Sequence, residues 1–308
     1  MPIADYDLVE VIGRGGFGDV YLGTRVADGI RVAVKLLKLP DEANLRRFAR
    51  EARLLRSLTS NRHVVALLDW SLEGDQPFIA MEFCGGGSLR AWVSQPRTWQ
   101  RICAAMTHAA SGLAEIHAVG GFHRDIKPDN LLVTRDSTGD LLVKVGDFGL
   151  ARWPGESSGP LTRSPGGTVG YMAPEVRHGA DFDSRCDVYS LGVTAIELLT
   201  GSRDPASLRA RPDIPDHLRT LLEAMSSQDP SRRPHIMHCH QAFHRATHPP
   251  RARQPVAARA TPDEGQTGML LGGLALVVGG VALATMNKRD ANGRFHGSDG
   301  RFRSGRWG

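Results

Sequence analysis

The hydrophobic pattern of this chain changes near residue 88, from short strand-like segments to long helical ones. Before that point, apolar and β-branched segments broken by Gly or Asp-Gly turns predict four strands: YDLVEVIG, DVYLGTRV, IRVAVKLL and PFIAMEF. Ahead of the last strand, Phe48, Ala52, Leu55 and Leu58 recur at helical spacing and predict an amphipathic helix. Beyond residue 88, long apolar-periodic segments predict two helices: WQRICAAMTHAASGLAEIHAV and VYSLGVTAIELLT. Strands first and helices second predict an α+β fold with two lobes.

Composition excludes several classes of protein. With 41% hydrophobic and 23% charged residues, the chain is neither wholly disordered nor a polytopic membrane protein. Its four cysteines form no CxxC pair, so we expect no disulfide framework or thiolate metal site, and a reducing compartment. The N-terminus has neither a basic region nor a long apolar run, so no secretory signal is predicted. The net charge of +5 resides in residues 246–308, which gives no reason to expect nucleic acid binding by residues 1–245.

Two motifs in the first lobe point to phosphate chemistry. Gly13, Gly15 and Gly18 form a GxGxxG pattern between two predicted strands, where backbone N–H groups can approach phosphates closely. A strand follows this motif rather than a helix, which argues against a dinucleotide fingerprint, although a plain glycine-rich hairpin remains an alternative. Lys35 ends the sequence VAVK on the third strand. A buried lysine needs an anionic partner, and Glu51 on the amphipathic helix is the candidate.

Three further motifs follow in the second lobe. They are HRDIKPDN at residues 123–130, DFG at residues 147–149 and GTVGYMAPE at residues 167–175. Any one of these acidic loops could be a capped turn. All five motifs in this order predict a phosphotransfer site instead.

The complete set resembles the eukaryotic-type (Hanks-type) Ser/Thr protein kinase family over about residues 5–245. The resemblance implies the two-lobed protein kinase fold, with an antiparallel sheet and one helix in the N-lobe and a mainly helical C-lobe. Lys127, two residues after Asp125, is typical of the Ser/Thr branch. The chain between Thr200 and Asp229 is shorter than in most family members, which leaves substrate recognition open. The compact domain and the Arg/Ala/Gly-rich tail favour a bacterial source.

The resemblance implies a role for each motif residue. Asp125 would accept and orient the substrate hydroxyl, Lys127 would neutralise the transferred phosphate, and Lys35 would hold the α- and β-phosphates while paired with Glu51. Asn130 and Asp147 would bind Mg²⁺ or Mn²⁺. The implied ATP-binding residues are Ile12, Gly13, Arg14, Gly15, Gly16, Phe17, Gly18, Val20, Ala33, Lys35, Met81, Glu82, Cys84 and Leu132. Among them, Val20, Ala33 and Leu132 would surround adenine, and Glu82 and Cys84 would bond its edge through their backbone atoms.

The resemblance also implies structural and regulatory roles. Arg233 would pair with Glu175, and Asp187 would anchor a hydrophobic spine that joins the lobes and contains Leu55, Leu67, His123 and Phe148. In the activation segment, Thr162 and Ser164 are the candidates for phosphorylation, including autophosphorylation. Arg124 would hold the added phosphate.

The C-terminal region predicts a membrane anchor. Residues 246–267 are predicted to form a flexible linker, residues 268–286 a transmembrane helix, and residues 287–308 a disordered basic Gly/Arg-rich tail. Residues 269–286 carry no charge and would reach about 27 Å as a helix, nearly the thickness of a bilayer core. Their glycines would make a poor soluble helix. Small residues spaced four apart suit contact between two such helices, and therefore a homodimer.

The expected localisation is a single-pass membrane protein with a cytoplasmic kinase domain. The basic tail conflicts with this orientation under the positive-inside rule. A folded domain without a signal peptide is nevertheless not expected to be exported. A segment that inserts partway and leaves both ends inside is the alternative.

Two other functions compete with an active protein kinase. A nucleotide-binding pseudokinase scaffold would usually lack at least one of Lys35, Asp125, Asn130 and Asp147, and all four are present. A kinase for small molecules would not need the GTVGYMAPE segment, which in the family docks peptides. The expected function is therefore transfer of the ATP γ-phosphate to serine or threonine hydroxyls of protein substrates.

Overall fold

An antiparallel sheet forms the N-terminal lobe of the computed structural model, which describes residues 2–16, 18–58, 61–74, 76–94, 97–151 and 168–248. Within these residues the sheet has six strands in the order β1-β2-β3-β4-β6-β5. The strands are β1 (Pro2–Ile3), β2 (Tyr6–Arg14), β3 (Gly18–Arg25), β4 (Arg31–Leu37), β5 (Leu67–Ser71) and β6 (Phe78–Glu82). The four predicted strands correspond to β2, β3, β4 and β6. Strand β5 was not predicted, because its residues are largely polar or exposed and show no clear alternation.

Helix α1 (Glu42–Leu58) packs beside this sheet between β4 and β5 in the chain. The side chain of Asp41 accepts the backbone N–H of Asn44 at 2.8 Å, which satisfies a donor of the first turn. The predicted apolar stripe of the helix is buried: Phe48, Ala52, Leu55 and Leu58. The same buried stretch includes Glu51, a carboxylate among apolar neighbours.

The C-terminal lobe is mainly helical, as the resemblance implied. Its helices are α2 (Leu89–Trp92), α3 (Trp99–Ala118), α4 (Pro174–His178), α5 (Arg185–Thr200), α6 (Asp216–Met225) and α7 (Ile236–Thr247). A hairpin of β7 (Leu131–Arg135) and β8 (Leu141–Val145) lies against α3. Helix α5 is buried over most of its circumference, as expected for the central helix of a lobe.

Successive residues of β4 lie alternately on the outer and the inner face of the sheet. Val32, Val34 and Leu36 pack with Tyr6 and Phe78 in a small cluster on the outer face. Successive strand residues point to opposite faces, so Ala33 and Lys35 share the inner face. That face is directed toward α1 and the C-terminal lobe.

Helix α7 ends at Thr247, two residues beyond the predicted boundary at 245. Residues 249–308 lie outside the described part of the chain, and with them almost all of the predicted linker, the hydrophobic segment and the basic tail. In the residues that the structure describes, no helix is both long and apolar enough to cross a membrane. The boundaries at 267 and 286 stay predictions.

Candidate active site

The glycine-rich turn joins β2 to β3. Gly15 N–H donates to the Gly18 carbonyl at 3.0 Å and closes the turn. A Cβ atom on Gly18 would lie 2.4 Å from the carbonyl oxygen of Leu36, so the close approach of β4 requires glycine there. A Cβ on Gly16 would meet no described atom within 4 Å. Gly16 therefore has room on the side where a ligand could approach.

These two glycines should respond differently to alanine. We expect Gly18→Ala to lower the free energy of unfolding by about 1–3 kcal/mol, because Leu36 and β4 must move to make room. Gly16→Ala should change it by no more than about 0.5 kcal/mol. Urea denaturation of both full-length variants measures the difference. Equal destabilisation by the two substitutions would contradict this account.

A buried ion cluster lies below the turn. Lys35 Nζ is 2.8 Å from Glu51 Oε1, 2.9 Å from Glu51 Oε2 and 3.1 Å from Asp147 Oδ1. Lys35 lies on β4, Glu51 lies on α1, and Asp147 lies in the loop after β8. The side chains of Lys35 and Glu51 are 8% and 3% exposed, whereas that of Asp147 is 52% exposed. The structure therefore brings the predicted pair together and leaves the Asp147 carboxylate accessible.

The charges of this cluster support each other. Burial alone would lower the pKa of Lys35, but the carboxylates of Asp147 and Glu51 outweigh it and the pKa lies above its ordinary value. In turn, the charge of Lys35 lowers the pKa of Asp147 to about 2. Burial raises the pKa of Glu51, against the opposing effect of Lys35. At neutral pH the cluster therefore presents a lysine cation beside an ionised, accessible Asp147.

A second cluster surrounds Asp125. Lys127 Nζ donates to Asp125 Oδ2 at 2.8 Å, and Asn130 Nδ2 donates to the same oxygen at 2.9 Å and to the Asp125 carbonyl at 2.8 Å. A 3-10 helix, Pro128–Asn130, turns the chain so that Asn130 reaches back to Asp125. These bonds hold the carboxylate of Asp125 in one orientation.

Helix α5 anchors the loop that carries Asp125. The buried carboxylate of Asp187 accepts the backbone N–H groups of His123 at 2.9 Å and Arg124 at 2.8 Å, and contacts His117 Nε2 at 2.9 Å. Arg124 has a φ of +66°. A positive φ is unfavourable for such a residue and persists only where surrounding bonds enforce it, as the bonds to Asp187 do here.

The rings of His123 and Phe148 lie 4.9 Å apart and link the two motifs that carry Asp125 and Asp147. His123 Nε2 also contacts the Gly146 carbonyl at 3.0 Å. Leu55 lies in the same core as Phe148, and Leu67 packs against it. The structure thus brings together the residues of the predicted spine.

Two of the residues predicted to surround adenine, Val20 and Ala33, share the inner face of the sheet. Ala33 pairs with Met81 across β4 and β6, and Val20 pairs with Lys35 across β3 and β4. Leu132 lies on β7 in the other lobe, where it packs beside Gly146: a Cβ on Gly146 would lie 3.1 Å from its side chain. The adenine position between these residues stays a prediction.

The segment after β6 joins the lobes. Oε1 of Glu82 accepts Ala66 N–H at 2.7 Å and Lys144 Nζ at 2.6 Å, and the Glu82 N–H donates to the Ala66 carbonyl at 3.0 Å. Burial raises the pKa of the Cys84 thiol to about 12. The contribution of Glu82 and Cys84 through their backbone atoms stays a prediction.

The sequence profile described as "Protein kinase domain" matches residues 6–244. The chain is a member of the protein kinase family. Serine/threonine-protein kinase Pkn1 of Myxococcus xanthus is 39% identical over 208 residues, which are 64% of this chain and 29% of that protein. Serine/threonine-protein kinase PknL of Mycobacterium tuberculosis is 40% identical over 195 residues, 62% of this chain and 48% of that protein. The chain thus spans less than half the length of these relatives.

Asp147 and Asn130 carry side-chain oxygens of the kind that bind a hard divalent cation. Asp147 offers an accessible carboxylate, and Asn130 uses its amide nitrogen on Asp125, which leaves its amide oxygen for a cation. No group of three or more His, Cys, Asp or Glu in the described residues could hold a metal by itself.

Several predicted residues lie outside the described part of the kinase: Phe17, Thr162 and Ser164. Ile12 is 44% exposed at the end of β2. Other contacts at the site were not predicted. Lys38 Nζ donates to the Gly15 carbonyl, His117 supports Asp187, and Lys144 holds Glu82. No local pattern marks these three residues, because each acts on a partner far away in the chain or across a strand pair.

Proposed function

We propose that this chain is a protein-serine/threonine kinase that transfers the γ-phosphoryl group of ATP to serine and threonine hydroxyls of proteins. The observation that carries the proposal is a pair of clusters whose motifs are linked by the His123–Phe148 ring contact. One is the buried Lys35–Glu51 pair against Asp147, and the other is Asp125 held by Lys127 and Asn130. The names of the relatives and the position of Lys127 support the choice of serine and threonine.

Each residue has a definite task in this reaction. ATP supplies the transferable phosphoryl group, and a divalent cation, for which we propose Mg²⁺ or Mn²⁺, supplies charge neutralisation. Asp125 accepts a hydrogen bond from the incoming hydroxyl and then its proton, while Lys127 keeps that carboxylate oriented and adds positive charge nearby. Lys35 stays cationic because two carboxylates surround it. Positioning and charge stabilisation therefore carry the rate, as phosphoryl transfer requires.

Incubation of the full-length chain with ATP and Mg²⁺ tests the proposal. We expect phosphate on serine and threonine of the chain itself or of a generic acceptor protein, identified by phosphoamino acid analysis. An Asp125→Asn preparation serves as the control for contaminating kinases. ATP binding without transfer would favour the pseudokinase scaffold, and phosphate confined to tyrosine would contradict the assignment to serine and threonine.

We further propose that Thr162 and Ser164 accept phosphate in the active protein. Arg124 is the cation suggested for this contact: it is buried, and its guanidinium lies 5.0 Å from the centre of the Phe182 ring. Mass spectrometry of the active preparation should detect phosphate at one of these two residues. A fully active enzyme with neither residue modified would overturn this proposal.

We also propose that residues 269–286 tether the kinase to a membrane, with residues 1–245 in the cytoplasm. The support is the uncharged 18-residue run, and its small residues would also allow two tails to pair in a homodimer. Deleting residues 269–286 should move the protein from the membrane pellet to the soluble fraction. A full-length protein found only in the soluble fraction would exclude the anchor. A cysteine placed in 287–308 should react with a membrane-impermeant thiol reagent, and protection of that cysteine would exclude the spanning orientation.

A further inference from the structure

Arg90 on α2 makes contacts that the proposed reaction does not use. Its Nε donates to Asp129 Oδ1 at 3.0 Å and to Asp129 Oδ2 at 2.9 Å. Its Nη1 donates to Glu197 Oε1 at 3.3 Å, and its Nη2 to the hydroxyl of Tyr171 at 2.6 Å. Tyr171 in turn donates to the other oxygen of Glu197. One guanidinium therefore joins two carboxylates and a phenol.

This network lies between the site of chemistry and the segment expected to dock peptides. Asp129 belongs to the 3-10 helix that begins three residues after Asp125, and Tyr171 belongs to the GTVGYMAPE segment. Glu197 comes from the central helix α5. The guanidinium of Arg203 lies 5.3 Å from the centre of the Tyr171 ring and adds a second positive charge beside the network.

The network is also accessible. The side chains of Arg90 and Asp129 are both 45% exposed, and that of Glu197 is 18% exposed. A peptide that presents its hydroxyl to Asp125 while resting on the Tyr171 segment would pass close to these groups. Without Arg90 it would meet two carboxylates, which attract basic side chains. With Arg90 in place, both carboxylates are already bound to a cation of the chain itself.

We propose that Arg90 determines peptide specificity by occupying Asp129 and Glu197 in place of a basic residue of the substrate. This inference rests on the proposed function and names its substrate class: peptides that are neutral or acidic beside the acceptor residue. An arginine of the substrate must displace an intramolecular partner that is always present at high effective concentration. It is also repelled by Arg90 and Arg203. Specificity here comes from rejecting the wrong charge.

The test uses one serine peptide in which alanines around the acceptor are replaced by arginine, one position at a time. For the full-length wild type, we expect each arginine peptide to have the same KM as the parent or a higher one. For Arg90→Ala, at least one arginine peptide should show a KM about tenfold below that of the parent. In the double variant Arg90→Ala, Asp129→Asn, the KM of that arginine peptide should return most of the way to the KM of the parent peptide. Arg90→Lys should keep the wild-type preference.

A control separates specificity from general damage. Arg101 is exposed on α3, and Arg101→Ala should leave both peptide preference and activity unchanged. Arg90→Gln removes the charge while keeping hydrogen-bond donors, and replaces Arg90→Ala if that variant fails to fold. If Arg90 were only a structural brace, Arg90→Ala would lower stability and raise the KM equally for all peptides. That result, or a wild type that already favours arginine peptides, would overturn the inference.

A binding measurement keeps the two proposals distinguishable. The dissociation constants of fluorescent peptides with alanine at the acceptor position need no phosphate transfer. If the wild type transfers no phosphate, the proposed function fails, whereas a gain in arginine-peptide affinity on Arg90→Ala still supports the inference. Unchanged affinities in both Arg90 variants would overturn the inference even if the wild type is a fully active kinase.

Discussion

Replacing Asp147 with asparagine in the full-length chain should lower the rate of phosphate transfer by roughly a thousandfold. The substitution keeps the shape of the side chain but removes the accessible charge that the site offers to a divalent cation. It also removes one of the two carboxylates that keep Lys35 charged. Both effects weaken the electrostatic stabilisation on which phosphoryl transfer depends. The loss should appear in kcat at saturating ATP.

A matched aspartate provides the control for this experiment. Asp213 is an exposed residue whose carboxylate pairs with Arg211 at 2.8 Å, in the second lobe outside the two catalytic clusters. Asp213→Asn should keep activity within about twofold of the wild type, as expected for a surface substitution. An Asp147→Asn enzyme that retains about a tenth or more of wild-type kcat would remove Asp147 from the proposed mechanism.

Replacing Arg233 with methionine should lower the free energy of unfolding by about 3–5 kcal/mol. The Arg233 side chain is fully buried and forms a bidentate pair with Glu175 at 2.6 and 2.9 Å. It also donates to three backbone carbonyls, those of Arg185, Ser227 and Gln228. The substitution leaves the carboxylate of Glu175 without its partner and the carbonyls without their donor, and these losses are the main cost.

The neighbouring residue is a close control. Arg232 is 79% exposed, and its Nε lies 3.9 Å from Asp229, so this ion pair is weak. Arg232→Met should change the free energy of unfolding by no more than about 0.5 kcal/mol. Urea denaturation of the wild type and both variants compares two adjacent arginines in one experiment. Similar losses for the two variants would show that the Glu175 pair is not what stabilises this corner.

How much of the fold could be predicted depended on how local the signal was. The apolar stripe of α1 and the alternation in β4 reflect the periods of a helix and a strand, so a window of a few residues reveals them. Strand β5 escaped prediction, because its five residues, LLDWS, include exposed and polar positions and it forms by pairing with β6. A strand that forms because a neighbouring strand pairs with it need not show a strand pattern in its own sequence.

The candidate site shows the same division. The proposed catalytic set could be predicted from local sequence: Lys35, Glu51, Asp125, Asn130 and Asp147 stand in short motifs, since the proposed chemistry requires particular residue types at particular spacings. The distant groups that support these residues became known from the folded structure alone. Lys144 reaches Glu82 across 62 positions, and Arg90 reaches Glu197 across 107. Such partners are chosen by proximity in the folded chain, and the strength of their charge contacts depends on burial, which no local pattern encodes.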